Sequence, residues 1–313
     1  MSVPWPMPNY LRPASVVALA VLVAACSGAG PSVAPSDPPG DLPSGSPTGS
    51  PPASPAEVGA LEHPTGATDI VLRYDVGGGM MMAGFAASQV PTFTLYGDGT
   101  VVFRNAAAEM PPMQGSVMRT NPLRTAKLSE DQIQDLLVYA LEVAGLGVAR
   151  DQYDNPMVTD VGTTTLTIDA GGVKKAVNIY ALGMEDVPGV PDMVARRAFG
   201  ELATRLADFD QGGAIATDVY QPAAYRGILM DGTGMTDPNV IAWPWEDIQP
   251  SDFEGPADPN AFQLATRTLT PEDVAALGVD GPEGGFTGLL ITGPDDGKLY
   301  SFSLRPLLRD DTE

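Results

Sequence analysis

Thr92–Arg104 reads T-F-T-L-Y-G-D-G-T-V-V-F-R. Aromatic and β-branched residues flank Asp98-Gly99, a strong short-range hairpin signal because glycine adopts positive φ at little cost. The pattern predicts strands over Thr92–Tyr96 and Thr100–Arg104, paired antiparallel. A hairpin closed this tightly leaves no room for a crossover helix between its strands, which a parallel pair requires.

Working outward, Asp69–Val76 alternates at Ile70, Leu72 and Tyr74 and is broken by Gly77-Gly78-Gly79. It reads as a further strand. Residues 105–122 are rich in Met, Pro and Gly and read as loop. Leu128-Ser129-Glu130-Asp131-Gln132-Ile133 carries three helix-start signals: Ser129 as cap, Gln132 completing a capping box, and a Leu128/Ile133 staple. The stripe Ile133, Leu136, Leu137, Ala140, Leu141 and Ala144 follows with helical spacing, and Gly145 ends it. Thr163–Asp169 and Lys175–Leu182 form a second hairpin across Gly171-Gly172. Asp192 is placed to cap a helix reaching Phe209, with Ala195, Phe199, Leu202, Leu206 and Phe209 on one face.

The C-terminal third repeats the scheme in shortened form. Tyr225–Met230 is a strand stopped by Asp231-Gly232. Thr270 caps a helix with Pro271 at its first position, where the missing N–H costs nothing. Thr287–Thr292 and Lys298–Leu304 make a hairpin across Pro294-Asp295-Asp296-Gly297. The expected fold class is α+β: antiparallel sheets with helices on one face, in two similar halves, residues 67–212 and 213–313. This order is not the regular alternation of two Rossmann-like lobes.

Upstream, Ser15–Ala25 is an uncharged, mostly apolar run preceded by Arg12. It is too short to span a bilayer, which takes about 20 residues, but suits a signal-peptide core. Val23-Ala24-Ala25-Cys26 resembles the bacterial lipoprotein lipobox. That resemblance implies cleavage between Ala25 and Cys26 and acylation of the Cys26 thiol, so residues 1–25 are expected to be a signal peptide. Cys26 is the sole cysteine, and no disulfide competes for it. Residues 26–66 are expected to be a linker: Ser27–Glu57 holds nine prolines and no aromatic residue, too little apolar surface to offset the entropy of ordering.

A formal net charge of −22 argues against nucleic acid, which demands a basic face. It also argues against attachment to anionic lipid by charge, so acyl chains on Cys26 are the expected membrane contact. His63 is the sole histidine. With Cys26 acylated, a Ser-His-Asp triad, a Cys-His pair and a His/Cys zinc site are all excluded from the body. Carboxylate pairs survive as candidate chemistry, but no motif nominates one and the catalytic residues are unassigned. Asp231–Asp237, Asp151 with Asp154 and Asn155, and Asp295-Asp296-Gly297 offer oxygen ligands without the EF-hand spacing and read as turns. No metal site or cofactor is nominated. Met80-Met81-Met82, with Met110, Met113 and Met118, offer soft thioethers for copper(I) but read as core or loop packing. Trp243-Pro244-Trp245 is the densest aromatic spot. Both indoles are candidates for partner binding, and both equally fit a plug between the halves.

The chain also resembles an uncharacterised family of exported lipoproteins from high-GC Gram-positive bacteria. The resemblance rests on the lipobox, on F-T-L-Y-G-D-G-T-V-V at Phe93–Val102, on N-I-Y-A-L-G at Asn178–Gly183, on A-R-R-A-F at Ala195–Phe199, and on Trp243-Pro244-Trp245. It implies placement and no activity. The expectation is a lipid-anchored, extracytoplasmic binding or protein-interaction module at the cell envelope, with an envelope protein or glycan as partner. The rival is a carboxylate-dependent envelope hydrolase acting on glycans.

Overall fold

The Asp98-Gly99 hairpin forms as its sequence predicts. In the computed structural model, which describes residues 59–105, 108, 110–237, 239–255, 264–294 and 297–311, Phe93 pairs with Phe103 and Leu95 with Val101. Gly99 turns at φ +80° and donates to Tyr96 O at 2.9 Å.

The architecture is mixed α+β with mostly antiparallel strands. The first sheet uses β1 (Ile70–Gly77), β2 (Phe93–Tyr96), β3 (Thr100–Phe103), β5 (Arg124–Lys127), β6 (Gln152–Tyr153), β7 (Thr163–Ala170), β8 (Val173–Tyr180) and β9 (Asp218–Val219). Their order is β6-β8-β7-β1-β2-β3-β5-β9. The second uses β10 (Tyr225–Asp231), β11 (Ile241–Ala242), β12 (Ala265–Leu269), β13 (Phe286–Thr292) and β14 (Leu299–Pro306), ordered β11-β13-β14-β10-β12, with β4 (Met118–Arg119) added to β13. Two short pairings, β6 with β8 and β11 with β13, are parallel. Among the described residues four α-helices accompany the sheets: α1 (Ala83–Ala87), α2 (Glu130–Val138), α3 (Met193–Ala207) and α4 (Pro271–Ala275).

Both capping boxes form. Ser129 N donates to Gln132 Oε1 at 2.9 Å and Gln132 N to Ser129 Oγ at 3.4 Å, and Thr270 with Asp273 repeats the exchange before α4. Ser129→Ala and Thr270→Ala are each expected to lower stability by about 1 kcal/mol. A urea midpoint that moves with unchanged slope would register the loss. The predicted stripe of α2 is buried throughout, from Ile133 to Ala144. It packs with Phe199, Leu202 and Leu206 of α3 against buried side chains of β1, β2, β3, β7 and β8.

Four expectations need correction. Asp192 does not cap α3: it sits at φ +58°, its side chain makes no cap bond, and its carboxylate accepts from Arg150 Nη2 at 2.6 Å. The stretch assigned to the linker reaches into the folded body, because Leu61 exchanges hydrogen bonds with the Gln134 side chain at 2.7 and 2.9 Å and Glu62 O accepts from Gly171 N at 2.8 Å. The boundary at 212/213 cuts through a run that completes the first sheet, since β9 joins β5, while β4 from the N-terminal half joins the second sheet. The two halves share an order of elements but not a connection. β1 pairs with β7, the first strand of its following hairpin, whereas β10 pairs with β14, the second of its own.

The far face of the first sheet carries Tyr96 and Val102, which pack with Val90, Leu123, Tyr220 and Leu308. The chain's last described residues cover this face. Asp310 accepts from Arg73 Nη2 and from the Tyr96 hydroxyl, each at 2.6 Å, and Arg309 reaches Asp98 at 3.0 Å. Burial alone would raise the Asp310 carboxyl, but the hydrogen bonds from Arg73 and Tyr96 and the Arg73 charge hold it below its ordinary range.

Candidate functional site

Tyr139–Val143 continues α2 as a single π-helical turn, with Ala144 N donating to Tyr139 O at 2.8 Å. Such turns recur at functional sites because they re-aim a side chain out of the helical register. Here Tyr139 lines a groove of about 940 Å³ that runs along α3, within the size range of small-molecule sites. The Arg205 guanidinium lies 4.4 Å from the Tyr139 ring centre.

Arg196 also lines this groove and is the largest fully buried side chain described. It lies on the inward stripe of α3, three residues before Phe199. Its Nη1 donates to Tyr180 O at 3.0 Å and its Nη2 to Tyr153 O at 3.1 Å. Nε has no acceptor, and no carboxylate forms an ion pair with Arg196 among the described residues. A buried donor left unsatisfied costs about 1–3 kcal/mol, and more when it is charged. Buried charges are ordinarily paired. Asn155, 1 % exposed and two residues beyond Tyr153, leaves its Nδ2 without a partner as well.

The backbone beside Arg196 is also out of the ordinary. Ala181 follows the carbonyl that holds Nη1 and adopts φ +55°. The other described non-glycine residues with positive φ are Asp160, Asp192 and Gln211, of which the two aspartates have the short polar side chain that tolerates that region. Strain of about 1–3 kcal/mol persists only where the surroundings over-determine it, and it concentrates at functional sites. Tyr74 completes the lining from β1. Its phenol is pushed up by burial and then by the charge of Asp75, so it stays protonated at neutral pH.

The other candidates lie elsewhere. Trp245 is 8 % exposed inside the core of the second sheet and donates to Asp273 O at 2.9 Å. Trp243 is half-buried, donates to Ile248 O at 2.6 Å, and meets Trp245, Phe253 and Tyr300 edge-on. Both indole N–H groups are satisfied inside the protein, and Trp245 offers almost no ring face to a partner. Both pack within the second sheet's own cluster.

Asp231 accepts from Thr233 N at 2.8 Å and pairs with Lys298 at 3.2 Å. The Thr233 hydrogen bonds, followed by the one from Lys298, bring Asp231 down to about 2. Asp237 accepts from Asn239 N, and Asn155 Oδ1 from Met157 N, so these residues act as turn formers. No group of three or more His, Cys, Asp or Glu side chains stands where a metal would be held among the described residues. His63 packs its ring against Pro64 O and Glu130, outside the groove. Met80, Met82, Met110 and Met113 are exposed rather than packed as filler. Gly78 and Gly79, just after β1, adopt positive φ, and of α1 only Gly84 is buried. Cys26, Ala25, the lipobox, the signal peptide and Asp295-Asp296 lie outside the described residues.

Sequence reasoning missed the groove. A signal was present at Arg196, because residues 196, 199, 203 and 206 share one helical face and the last three are apolar. The π turn had none. No family model, curated protein or solved structure matches this chain.

Proposed function

We propose that the protein is a lipid-anchored, extracytoplasmic lipoprotein whose folded body works as a binding or protein-interaction module at the cell envelope. The observation that carries this reading is Val23-Ala24-Ala25-Cys26 directly after the uncharged run Ser15–Ala25. A peptidase that accepts small residues before a cysteine leaves Cys26 as the new N-terminus. Two or more acyl chains there anchor far more firmly than one, since each buried CH₂ contributes about 0.8 kcal/mol. No helix among the described residues is long and apolar enough to cross a membrane; the acyl chains on Cys26 are the proposed attachment. The Pro/Ser/Gly-rich stretch to Glu57 is the proposed tether.

The test is metabolic labelling of the full chain with a clickable palmitate analogue in a Gram-positive host. Label is expected on the wild type and absent from Cys26→Ala, which is expected to move from the membrane fraction to the medium or to stay unprocessed. An unlabelled wild type that partitions as Cys26→Ala does would overturn the lipoprotein reading.

A further inference from the structure

We propose that the α3 groove is a binding site for a small organic monoanion, with the Arg196 guanidinium as its buried anchor for a carboxylate group. The proposal rests on the reading of the body as a binding module and is independent of the lipid anchor. Arg196 is 0 % exposed, yet neutral carbonyls are the partners its Nη1 and Nη2 have. Those two bonds fix the plane of the guanidinium, and Nε lies without an acceptor beneath the groove's surface, so a carboxylate meets it only when the side chains above it move aside. A carboxylate beside Nε supplies both what this nitrogen lacks, an acceptor, and what the buried cation lacks, a counter-charge. The planar fork of arginine suits a carboxylate where a point charge would not.

The rest of the groove narrows the ligand. Tyr74, Tyr139 and Leu182 give it an apolar side, which fits an organic body rather than an inorganic ion. Glu185, Glu201 and Asp208 also line it, and they repel a polyanion. Arg197 and Arg205 sit four residues either side of Glu201 on α3 and are exposed. Arg205 stacks on the Tyr139 ring, and neither arginine forms an ion pair with Glu201 among the described residues.

The experiment uses the full-length chain in detergent, with ¹⁵N-arginine, and follows the Arg196 Nε–Hε cross-peak. Sodium acetate and sodium benzoate are titrated at constant ionic strength against sodium chloride, phosphate and sulfate. A saturable shift with acetate, stronger with benzoate and absent with chloride, is the expected result. Arg196→Lys keeps the charge and removes the fork, and is expected to weaken binding at least tenfold. If that variant fails to fold, the wild-type cross-peak alone decides. A cross-peak unmoved by carboxylates and coupled to long-lived water would assign Nε to an internal water and overturn the proposal. So would a linear response shared by every salt, or saturation with phosphate or sulfate alone. Failure here with palmitate labelling intact would remove the ligand class and leave the lipoprotein reading standing.

Discussion

Trp245→Ala is expected to lower the unfolding free energy by about 3–5 kcal/mol, the range for deleting a large aromatic from a packed core. The ring meets Trp243, Phe253 and Phe302 with centroids at 5.2, 6.3 and 5.9 Å. Its removal therefore takes contacts from three neighbours and leaves Asp273 O without its indole donor. Trp245→Phe keeps most of the packing and isolates the hydrogen bond, so a smaller loss of about 1–2 kcal/mol is expected. Guanidinium-induced unfolding of both variants measures the two terms. A Trp245→Ala protein as stable as the wild type would mean that the indole does not hold the second sheet's core together.

The second large effect is expected at the C-terminal clasp. Asp310→Ala strips the acceptor from Arg73 and Tyr96 together, with the Arg73 and Asp310 side chains each 17 % exposed. Breaking a buried pair by removing one partner costs about 3–5 kcal/mol, and an exposed pair contributes about 0–1. This half-buried geometry places the expected loss at about 2–3 kcal/mol. A double-mutant cycle with Arg73→Ala tests whether the two losses fail to add. The pH dependence has a definite sign. Asp310 has its carboxyl depressed in the folded state, so its contribution is fully present above the ordinary carboxylate pKa and disappears as pH falls through the depressed folded value. Acid unfolding of Asp310→Ala should be shallower than that of the wild type in this window. Superimposable acid profiles would sink the claim.

What could be read in advance was local. Gly99, Ser129 and Thr270 act within three residues of themselves, and turn and cap chemistry announces itself at that range. The wiring of the sheets did not, because β4 and β9 are two residues each and find their partners far along the chain. Asp192 shows a local signal losing to a distant one: an acid in the capping position gave its carboxylate to Arg150 instead. Tyr139 lost its regular register to a π turn that nothing in its neighbours marks. Arg196 was legible as a charge on an apolar face, but its partners, Tyr153 O and Tyr180 O, become visible only once β6 and β8 are side by side.

The clasp at Asp310 also sets a schedule. Arg73 and Asp310 stand 237 residues apart in the chain, so β1 waits for residues made long after it before its far face is closed. Until Asp310 is in place, Arg73 and Tyr96 lack the acceptor they share, so a chain interrupted before that residue would leave this face of the sheet open.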